Sequence, residues 1–335
     1  MIVPKITKPP MIKLKNKNMR PDNRLIRIDK DSLAQADYMQ RLLRIKKSNL
    51  LASPLYANIE AQTQNAKIQY KSIWRDGFEA GITLWLEKTS ILGLRRSIIC
   101  HRMPLWFDGF GDTLDQQLFW REFRITYLQS IFTKLSIIPE SSDPEYMKAF
   151  KQHTLIDPYE TYWLDISQNE DTLLHSMRKS WKQDIKQAER VFNKDISLYK
   201  TRSINDLKMI IQLSDHHRRV KSYNAPSRQY LERLCLEFLD QNQCEIWLAK
   251  YGHEILSAII ILKHGQSATY QIGYSSVKGR SMKLTKLLLW NAILDLKSQG
   301  VSTLDLGGVN KHTPQLTMFK SGLGGDYVRL SGFYS

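Results

Sequence analysis

The sequence predicts an α/β protein with two lobes, each a mixed, mainly antiparallel central sheet flanked by helices. Short alternating or apolar segments between turn residues predict strands, and stretches with apolar residues every three or four positions predict helices. Both halves of the chain repeat one order, three antiparallel strands, a helix and a strand, which indicates an internal duplication. A chain of 335 residues is long enough for two such lobes.

The first predicted lobe covers residues 25–159. It follows residues 1–24, which are rich in Lys, Asn and Pro and are predicted to form a disordered basic tail. The turn Asp76-Gly77 indicates a hairpin, because this dipeptide favours tight connections between strands. The predicted elements are, in order, helices from Asp31 and over 55–69, strands over 72–74, 82–86 and 97–101, and a helix over 115–135.

The second predicted lobe covers residues 160–335. The capping-box pattern from Ser167 to Glu170 predicts the start of its first helix. Ser281 and Gly300 suit the beginning and the end of its last long helix. The predicted elements are, in order, a strand over 162–166, a helix to about Arg190, strands over 245–250, 255–262 and 268–274, a helix over 281–299, and a strand over 301–306.

The composition is that of a soluble globular protein, with 42% hydrophobic and 24% charged residues. No apolar run reaches the roughly 18–20 residues that span a bilayer, and the N-terminus lacks the apolar core of a signal peptide. We therefore expect a cytoplasmic protein. Three cysteines without a metal-like spacing predict reduced thiols. Adjacent His216 and His217 point apart in a helix, so no metal site is predicted.

The net charge of +16 indicates an anionic partner. The first 50 residues carry 13 of the 49 Lys and Arg but only four of the 33 Asp and Glu, so the excess is concentrated near the tail. RNA, nucleotide phosphates and an anionic membrane surface all remain open as partners. A solvated tail without a function remains equally open.

Two blocks near the C-terminus carry a family resemblance. The run Leu304-Asp305-Leu306-Gly307-Gly308-Val309, followed by Phe319-Lys320-x-Gly322-x-Gly324-Gly325, resembles the C-terminal signature of the FemAB-type transferases. These non-ribosomal peptidyltransferases add amino acids to peptidoglycan precursors and consist of two GNAT-like lobes. The basic block 176–189 is similar to the family's helix at the start of the second lobe. The resemblance covers residues 160–335, and Arg102-x-Pro104-Leu105 extends it weakly over 50–135.

The resemblance implies tandem GNAT-like lobes and direct transfer of an acyl or aminoacyl group to an amine of a small-molecule or peptide acceptor. It implies no metal and no tightly bound cofactor, with acyl-CoA or aminoacyl-tRNA as the donor substrate. Such a site must deprotonate the amine and stabilise an oxyanion. The stretch Val277–Ser281 has one glycine where a CoA-binding turn has more, and no heptads predict a tRNA-binding arm. The donor therefore remains open.

The candidate site residues follow from this resemblance and from the strand pattern. Lys320, beside Phe319, is expected to contact the anionic carrier or the oxyanion. Asp305 could orient the acceptor amine or cap a loop. The predicted strand 268–274 places two tyrosines on one side by its period of two. The candidate catalytic residues are Lys320, Phe319, Asp305 and Tyr274, and the candidate substrate-binding residues are Tyr270, Gly307, Gly308, Lys182, Lys186 and Arg228.

Two alternatives to a cell-wall transferase stay open at this point. One is a GNAT-like N-acyltransferase that makes an amino-sugar, peptide or lipid product. The other is a protein without enzymatic activity that binds RNA or a membrane surface through its basic tail and through Lys179, Lys182, Lys186 and Arg190.

Overall fold

The computed structural model describes residues 24–90, 95–128, 132–191, 196–221 and 225–335. Of the predicted disordered tail only Arg24 is described, and it forms an ion pair with Asp112; the rest lies outside the described residues. The described chain forms two sheets with helices on their faces, so the predicted fold class is confirmed. Within these ranges no helix has both the length and the apolar character needed to cross a membrane.

The first lobe contains a sheet with the strand order β1-β2-β3-β4-β6, and β5 pairs with β3. Among the strands described in this lobe, only β4 and β6 run parallel to each other. Its elements are β1 Ile26–Ile28, α1 Gln35–Leu42, α2 Pro54–Gln64, β2 Lys67–Arg75, β3 Phe78–Thr89, β4 Arg96–Met103, β5 Leu105–Trp106, α3 Thr113–Tyr127 and β6 Thr133–Pro139.

The predicted helix over 115–135 is wrong in its second half. Helix α3 ends at Tyr127, and residues from Thr133 form strand β6. Leu135 and Ile137 are buried at alternate positions of that strand, the period of two that marks a half-buried strand. The apolar residues of α3 and β6 happen to continue one helical spacing. The start of the strand was therefore predicted as part of the helix. Residues 129–131 lie outside the described part of the chain.

The second lobe contains a sheet with the order β13-β7-β12-β11-β10-β9-β8. Of the strand pairs that the structure describes in it, only β11 and β12 are parallel. The order β9-β10-β11-α9-β12 repeats the order β2-β3-β4-α3-β6 of the first lobe. Its elements are β7 Glu160–Asp165, α4 Glu170–Ser176, α5 Lys179–Val191, β8 Ile196–Thr201, α6 Ile204–Lys221, α7 Arg228–Asp240, β9 Cys244–Tyr251, β10 Glu254–His264, β11 Ser267–Ser275, α8 Val277–Ser281, α9 Leu284–Ser298, β12 Thr303–Asp305, α10 Pro314–Ser321 and β13 Asp326–Arg329.

The predicted helix from residue 170 to about Arg190 is two helices, α4 and α5. Met177 between them is extended, with ψ 145°. The break accommodates the glycine-rich segment after α10, because Arg178 N donates to Gly322 O at 2.9 Å. The N-cap of α4 is Asn169 rather than Ser167, since the Asn169 side chain accepts from Thr172 N at 2.8 Å.

The predicted helix over 281–299 begins later than expected. Ser281 is the last residue of the short helix α8, and Lys283, at φ 60°, precedes α9. The end of α9 agrees with the prediction, because Gly300 follows it with φ 83°. The chain therefore forms two helical segments between β11 and β12 instead of one.

The two faces of the second sheet have different partners. Helices α5 and α9 pack on one face, with Trp181 and Leu288 in the core. Helices α6 and α7 pack on the other face, together with Leu50 and Ile59 from the first lobe. The two lobes therefore share a hydrophobic core.

The last described residues return to the first lobe. Ile137 N donates to Tyr334 O at 2.9 Å, and Tyr334 N donates to Ile137 O at 2.8 Å. Tyr334 is buried in the core of the first lobe. The predicted division between residues 159 and 160 separates the strands of the two sheets. As a domain boundary it remains a prediction. Residues 330–335 do not follow the division, because they lie against the first lobe.

Candidate active site

A gap between two parallel strands marks the second lobe. Strands β11 and β12 pair over only three positions, the last being Thr269 opposite Asp305. Strand β11 continues to Ser275, whereas the chain leaves β12 after Asp305. In the first lobe the corresponding strands β4 and β6 stay paired as far as Met103 opposite Pro139. The parallel pairing in the second lobe therefore ends earlier along the strands than that in the first lobe. The turn after β12 still lies close to β11, because a Cβ at Gly307 would lie 2.9 Å from Tyr270 O. The gap is the region beyond this turn, where β11 continues without β12.

Lys320 lies buried near the end of α10 and reaches the turn that follows β12. Its Nζ donates to the carbonyl oxygens of Gly307 and Gly308, both at 2.9 Å. Burial lowers the pKa of Lys320 to about 8, and the negative charge of Asp305 opposes this shift. At neutral pH the side chain is mostly protonated, so it supplies a buried positive charge beside the gap.

Phe319 holds α10 in place. Its ring packs on the Trp181 ring with centroids 5.1 Å apart, and its carbonyl oxygen accepts from Trp181 Nε1 at 2.9 Å. The indole leaves no room for a larger residue at Gly322, where a Cβ would lie 2.2 Å from Trp181 Cδ1. Phe319 therefore positions its neighbour Lys320 by packing.

The Gly307-Gly308 turn connects the groups around Lys320. Gly307 has φ +74°, a conformation that glycine adopts without strain. Its carbonyl oxygen accepts from Thr161 Oγ1 at 3.0 Å as well as from Lys320. A Cβ at Gly308 would lie 3.3 Å from the Tyr159 ring.

Asp305 caps the loop that follows β12, which is the second of its two predicted roles. Its side chain is 1% exposed, so it does not face an open acceptor site. One carboxylate oxygen accepts from Thr161 Oγ1 and from Gly307 N, the latter at 2.9 Å. The other accepts from Arg102 Nη1 of the first lobe at 3.3 Å. Asp305 therefore holds the glycine turn and joins the lobes.

Tyr270 and Tyr274 do not lie on one side of β11, so that prediction is wrong. Ile260 pairs with Ile272 and Ile261 with Tyr270, which leaves Gln271 as a β-bulge. One extra residue reverses the alternation of side chains. Tyr270 packs on the side of α5 and α9, in the same core that Phe319 contacts, and Tyr274 packs on the side of α6 and α7.

Gly273 could have indicated this arrangement. A Cβ at Gly273 would lie 1.9 Å from the Tyr270 hydroxyl, so glycine leaves the space that the tyrosine side chain occupies. Burial raises the pKa of Tyr270, so its hydroxyl keeps its proton at neutral pH. The structure thus places Tyr270 beside the opening strands and Tyr274 on the far face of the sheet.

The three candidate basic residues separate into two groups. Lys186 is exposed and Lys182 half-buried on α5. Arg228 lies on α7, which packs on the opposite face of the sheet, and its Nε donates to Glu232 at 2.6 Å. The structure therefore does not bring Arg228 to the lysines of α5.

The N-terminus of α9 extends the basic surface of α5. Lys286 Nζ donates to Asp184 at 2.6 Å and lies 4.7 Å from the centroid of the Trp181 ring. Lys283 lies 4.0 Å from the same carboxylate. Sequence reasoning missed these two lysines, because they join the basic surface of α5 only through the packing of α5 against α9.

Sequence reasoning also missed the buried groups around Asp305. Thr161, Arg102 and Glu140 bind one another or Asp305, yet they come from three distant parts of the chain. The pattern Arg102-x-Pro104 was the only signal that pointed to one of them. Among the described residues no cluster of His, Cys, Asp and Glu could hold a metal ion.

Two open spaces lie in the first lobe. A groove of about 650 Å³ runs beside β4 and β6 and is lined by His153 and Phe333 among others. A smaller cavity of about 50 Å³ lies between α2 and β3 and contacts His101. Neither is lined by Lys320 or Tyr270, so the chemical groups and these spaces lie in different lobes.

Comparison with known proteins identifies one domain of the chain and its overall fold. The model of the acetyltransferase (GNAT) domain matches residues 175–320. The crystal structure of FemX aligns with a TM-score of 0.71 at 14% identity, over 90% of this chain and 95% of that chain. A conserved protein of unknown function from Bacteroides thetaiotaomicron aligns with a TM-score of 0.58 at 8% identity, over 91% and 97% of the two chains.

No curated protein is similar enough in sequence to match the chain. The matched GNAT segment contains α5, β11, α9, β12 and Lys320, which are the elements around the gap. The alignment with FemX covers both lobes and confirms the expected FemAB-type fold. The chain therefore contains an acetyltransferase (GNAT) domain in its second lobe, on an overall fold that it shares with FemX.

Proposed function

We propose that the protein transfers an acyl or aminoacyl group from an activated carrier to a primary amine of an envelope precursor. The observation that carries this proposal is the buried ammonium of Lys320 beside the gap between β11 and β12. The resemblance to the FemAB-type transferases supports a peptidoglycan precursor as the acceptor. The acetyltransferase family model supports an activated acyl donor.

The proposed reaction uses the gap to hold the reacting carbonyl group. The acceptor amine attacks the carbonyl carbon, a C–N bond forms, and the C–S bond of a thioester or the C–O bond of an ester breaks. The proton lost by the amine leaves with the released thiol or hydroxyl. Lys320 stabilises the negative charge that develops on the carbonyl oxygen, where a fixed positive charge in a dry site is most effective.

Tyr270 is the second proposed participant. Its hydroxyl is protonated at neutral pH, and the side chain lies along β11 on the face where Phe319 packs. A protonated hydroxyl in this position can donate to the leaving group as the tetrahedral intermediate collapses. Tyr274 is not proposed for this role, because it lies on the other face of the sheet.

Acyl-CoA is the first candidate donor. Helix α8 begins directly after β11, and Ser276 caps it by accepting from Gly279 N at 3.0 Å. A Cβ at Gly279 would lie 2.0 Å from Leu256 O, so this glycine serves the close packing of α8 on β10. The amides at the start of α9 remain as groups that can bind a pyrophosphate.

Aminoacyl-tRNA is the second candidate donor. The basic surface of α5 and α9 favours it, because the four lysines Lys182, Lys186, Lys283 and Lys286 outnumber the two carboxylates of α5, Asp184 and Glu189. Such a surface can bind several phosphates of a nucleic acid backbone. An assay with both donors therefore distinguishes the two carriers.

The test measures transfer of a labelled acyl group from acetyl-CoA, and of a labelled amino acid from charged tRNA, to a peptidoglycan precursor with a free amine. The wild-type protein should form labelled product with one donor. Lys320→Ala should reduce kcat by about 100-fold or more, the effect of losing one donor to an oxyanion.

Lys311→Ala is the matched control. Lys311 belongs to the same segment but is 69% exposed, with a single ion pair to Asp157. Its activity should stay within about twofold of wild type, because exposed ion pairs contribute little. Equal activity of Lys320→Ala and wild type, with either donor, would contradict the proposed role of Lys320.

A further inference from the structure

We infer that Arg102 of the first lobe is a positioning residue for the reaction in the second lobe. It acts through Asp305, which fixes the Gly307-Gly308 turn that binds Lys320. This inference rests on the proposed function, because it assigns Lys320 to the reaction. It adds a contribution of the first lobe to the chemistry.

Arg102 is held firmly in a buried position. It lies near the end of β4 with φ 57°, and its side chain is 5% exposed. Nε and Nη2 donate to the two carboxylate oxygens of Glu140 at 2.6 and 2.8 Å. Asn49 Nδ2 donates to the Arg102 carbonyl oxygen at 2.8 Å, and the guanidinium lies 4.8 Å from the Tyr159 ring centroid. These contacts leave Nη1 directed to Asp305.

Asp305 links Arg102 to the Gly307-Gly308 turn, because it binds both. Arg102 Nη1 donates to one of its carboxylate oxygens, and Gly307 N donates to the other. Thr161 Oγ1 lies within hydrogen-bond distance of that second oxygen and 3.0 Å from Gly307 O, and its single proton is shared between these two acceptors. The carboxylate therefore fixes the Gly307 amide directly, and Thr161 lies between the carboxylate and the Gly307 carbonyl oxygen.

The Gly307 carbonyl oxygen is also the acceptor for Lys320 Nζ. A shift of Asp305 would move this oxygen and the ammonium bound to it. Displacements of about 1 Å in reacting groups can reduce a rate by roughly 100-fold. The chain of contacts thus makes the position of Lys320 depend on a residue of the other lobe.

The charges of the cluster are also coupled. Asp305 on β12 is the charged group that acts on Lys320. Asp305 in turn pairs with Arg102, which also pairs with Glu140, and it interacts electrostatically with Lys47, Tyr159 and His264. Arg178, near the end of α10, is exposed. Asp305 raises the pKa of Lys320, whereas burial lowers it. Because Arg102 offsets the charge of Asp305, the two residues should shift this pKa in opposite directions.

The experiment compares Arg102→Gln, Arg102→Lys and Asp305→Asn in the full chain. It measures the pH dependence of kcat, the change in KM, and the pKa of Lys320 by NMR of labelled lysine side chains, assigned with Lys320→Met. Arg96→Gln is the matched control. Arg96 is on the same strand and pairs with Glu87 in the same bidentate way, at 2.7 and 2.9 Å, but inside the first lobe.

We expect Asp305→Asn to lower the pKa of Lys320, so that kcat falls at a lower pH than in the wild type. Arg102→Gln should raise this pKa and move the fall in kcat to a higher pH. Arg102→Lys keeps the charge, so it should leave the pKa near its wild-type value. All three should reduce kcat by roughly 10- to 100-fold with a smaller change in KM. Arg96→Gln should match the wild type in every measurement.

Unchanged pKa values of Lys320 in both Asp305→Asn and Arg102→Gln would overturn the inference, as would an unchanged kcat in folded Arg102→Lys. If Arg102→Gln does not fold, Asp305→Asn and Arg102→Lys still test whether Arg102 and Asp305 position Lys320. Failure of the proposed function has a different signature, because the NMR shifts would then appear in a protein that transfers no acyl group.

Discussion

At the scale of single residues, the sequence singled out Lys320 as a candidate but did not indicate its surroundings. A lysine in a glycine-rich segment usually lies in solvent, and only the resemblance of Phe319-Lys320 to a family signature singled it out. The burial of its ammonium depends on two carbonyl oxygens of residues 307 and 308. Such contacts depend on the path of the backbone after β12, which no local pattern specifies.

The two tyrosines of β11 show why alternation can mislead. The period of two predicts one face for Tyr270 and Tyr274, and a single unpaired residue, Gln271, reverses it. Bulges depend on the pairing of two strands, so a pattern along one strand does not contain them. Gly273 was the local signal, since the Tyr270 side chain lies over it.

Gly273→Ala should therefore disturb Tyr270. The new methyl group would overlap the hydroxyl position of Tyr270, and overpacking of this kind costs about 1–3 kcal/mol of the free energy of unfolding. Chemical denaturation measures this loss. In a Tyr270→Ala background the same substitution should cost almost nothing, and an equal cost in both backgrounds would show that the two residues do not interact.

At the scale of elements, strongly periodic segments were predicted well and their ends poorly. The strands β9, β10 and β11 and the body of α9 follow the predicted ranges closely. The second half of the predicted helix 115–135 is a strand, because apolar residues on either side of a turn continued the helical spacing. The break at Met177 also has no local cause.

That break depends on glycines more than 140 residues later in the chain. A Cβ at Gly324 would lie 2.4 Å from Ser176 O, and one at Gly325 would lie 2.6 Å from Trp163 O. The glycines of the family-like signature therefore let the segment after α10 pack closely on α4 and β7. Close packing alone accounts for glycine at these positions, without a contact to the substrate.

Gly324→Ala tests this assignment. The residue has φ +84° and close backbone neighbours, so alanine should suffer both strain and overlap and lower the free energy of unfolding by about 3 kcal/mol. Gly300→Ala is the matched control, because Gly300 has φ +83° with nothing within 4 Å of its Cβ position. It should lose only about 1 kcal/mol. Equal losses in urea denaturation would show that packing at Gly324 is unimportant.

At the scale of the whole molecule, the sequence predicted the two lobes but not their contact surface. Segment 46–49 of the first lobe lies against the second sheet, where Ser48 Oγ is 3.2 Å from His264 Nδ1 and Ser48 N donates to Ser267 at 3.0 Å. His264 is 2% exposed, and its Nε2 lies 2.8 Å from Thr269 Oγ1. These residues are far apart in sequence and are unremarkable one by one.

His264 makes stability sensitive to acid. Burial lowers its pKa to about 3, while nearby Asp305 opposes the shift and Arg102 adds to it. The unfolded chain binds a proton below about pH 6.5, whereas the folded protein does so only near pH 3. Stability should therefore be complete above pH 6.5 and should fall as the pH decreases towards 3, by up to about 1.4 kcal/mol per pH unit from this residue.

Urea denaturation between pH 7 and pH 4 measures this dependence. His264→Gln should make the slope shallower, because glutamine keeps a polar side chain without a charge to gain. His101 provides a second contribution, since burial lowers its pKa to about 4 within the first lobe. An unchanged slope in His264→Gln would show that the residue is already charged in the folded protein.

The return of residues 330–335 to the first lobe gives the polypeptide two crossings between its halves. The first crossing lies near residue 160, and the second brings Tyr334 back to pair with Ile137. Leu50 and Ile59 of the first lobe also pack against the second sheet. The lobes therefore cannot separate as independent bodies unless both this packing and the pairing of Tyr334 with Ile137 are lost.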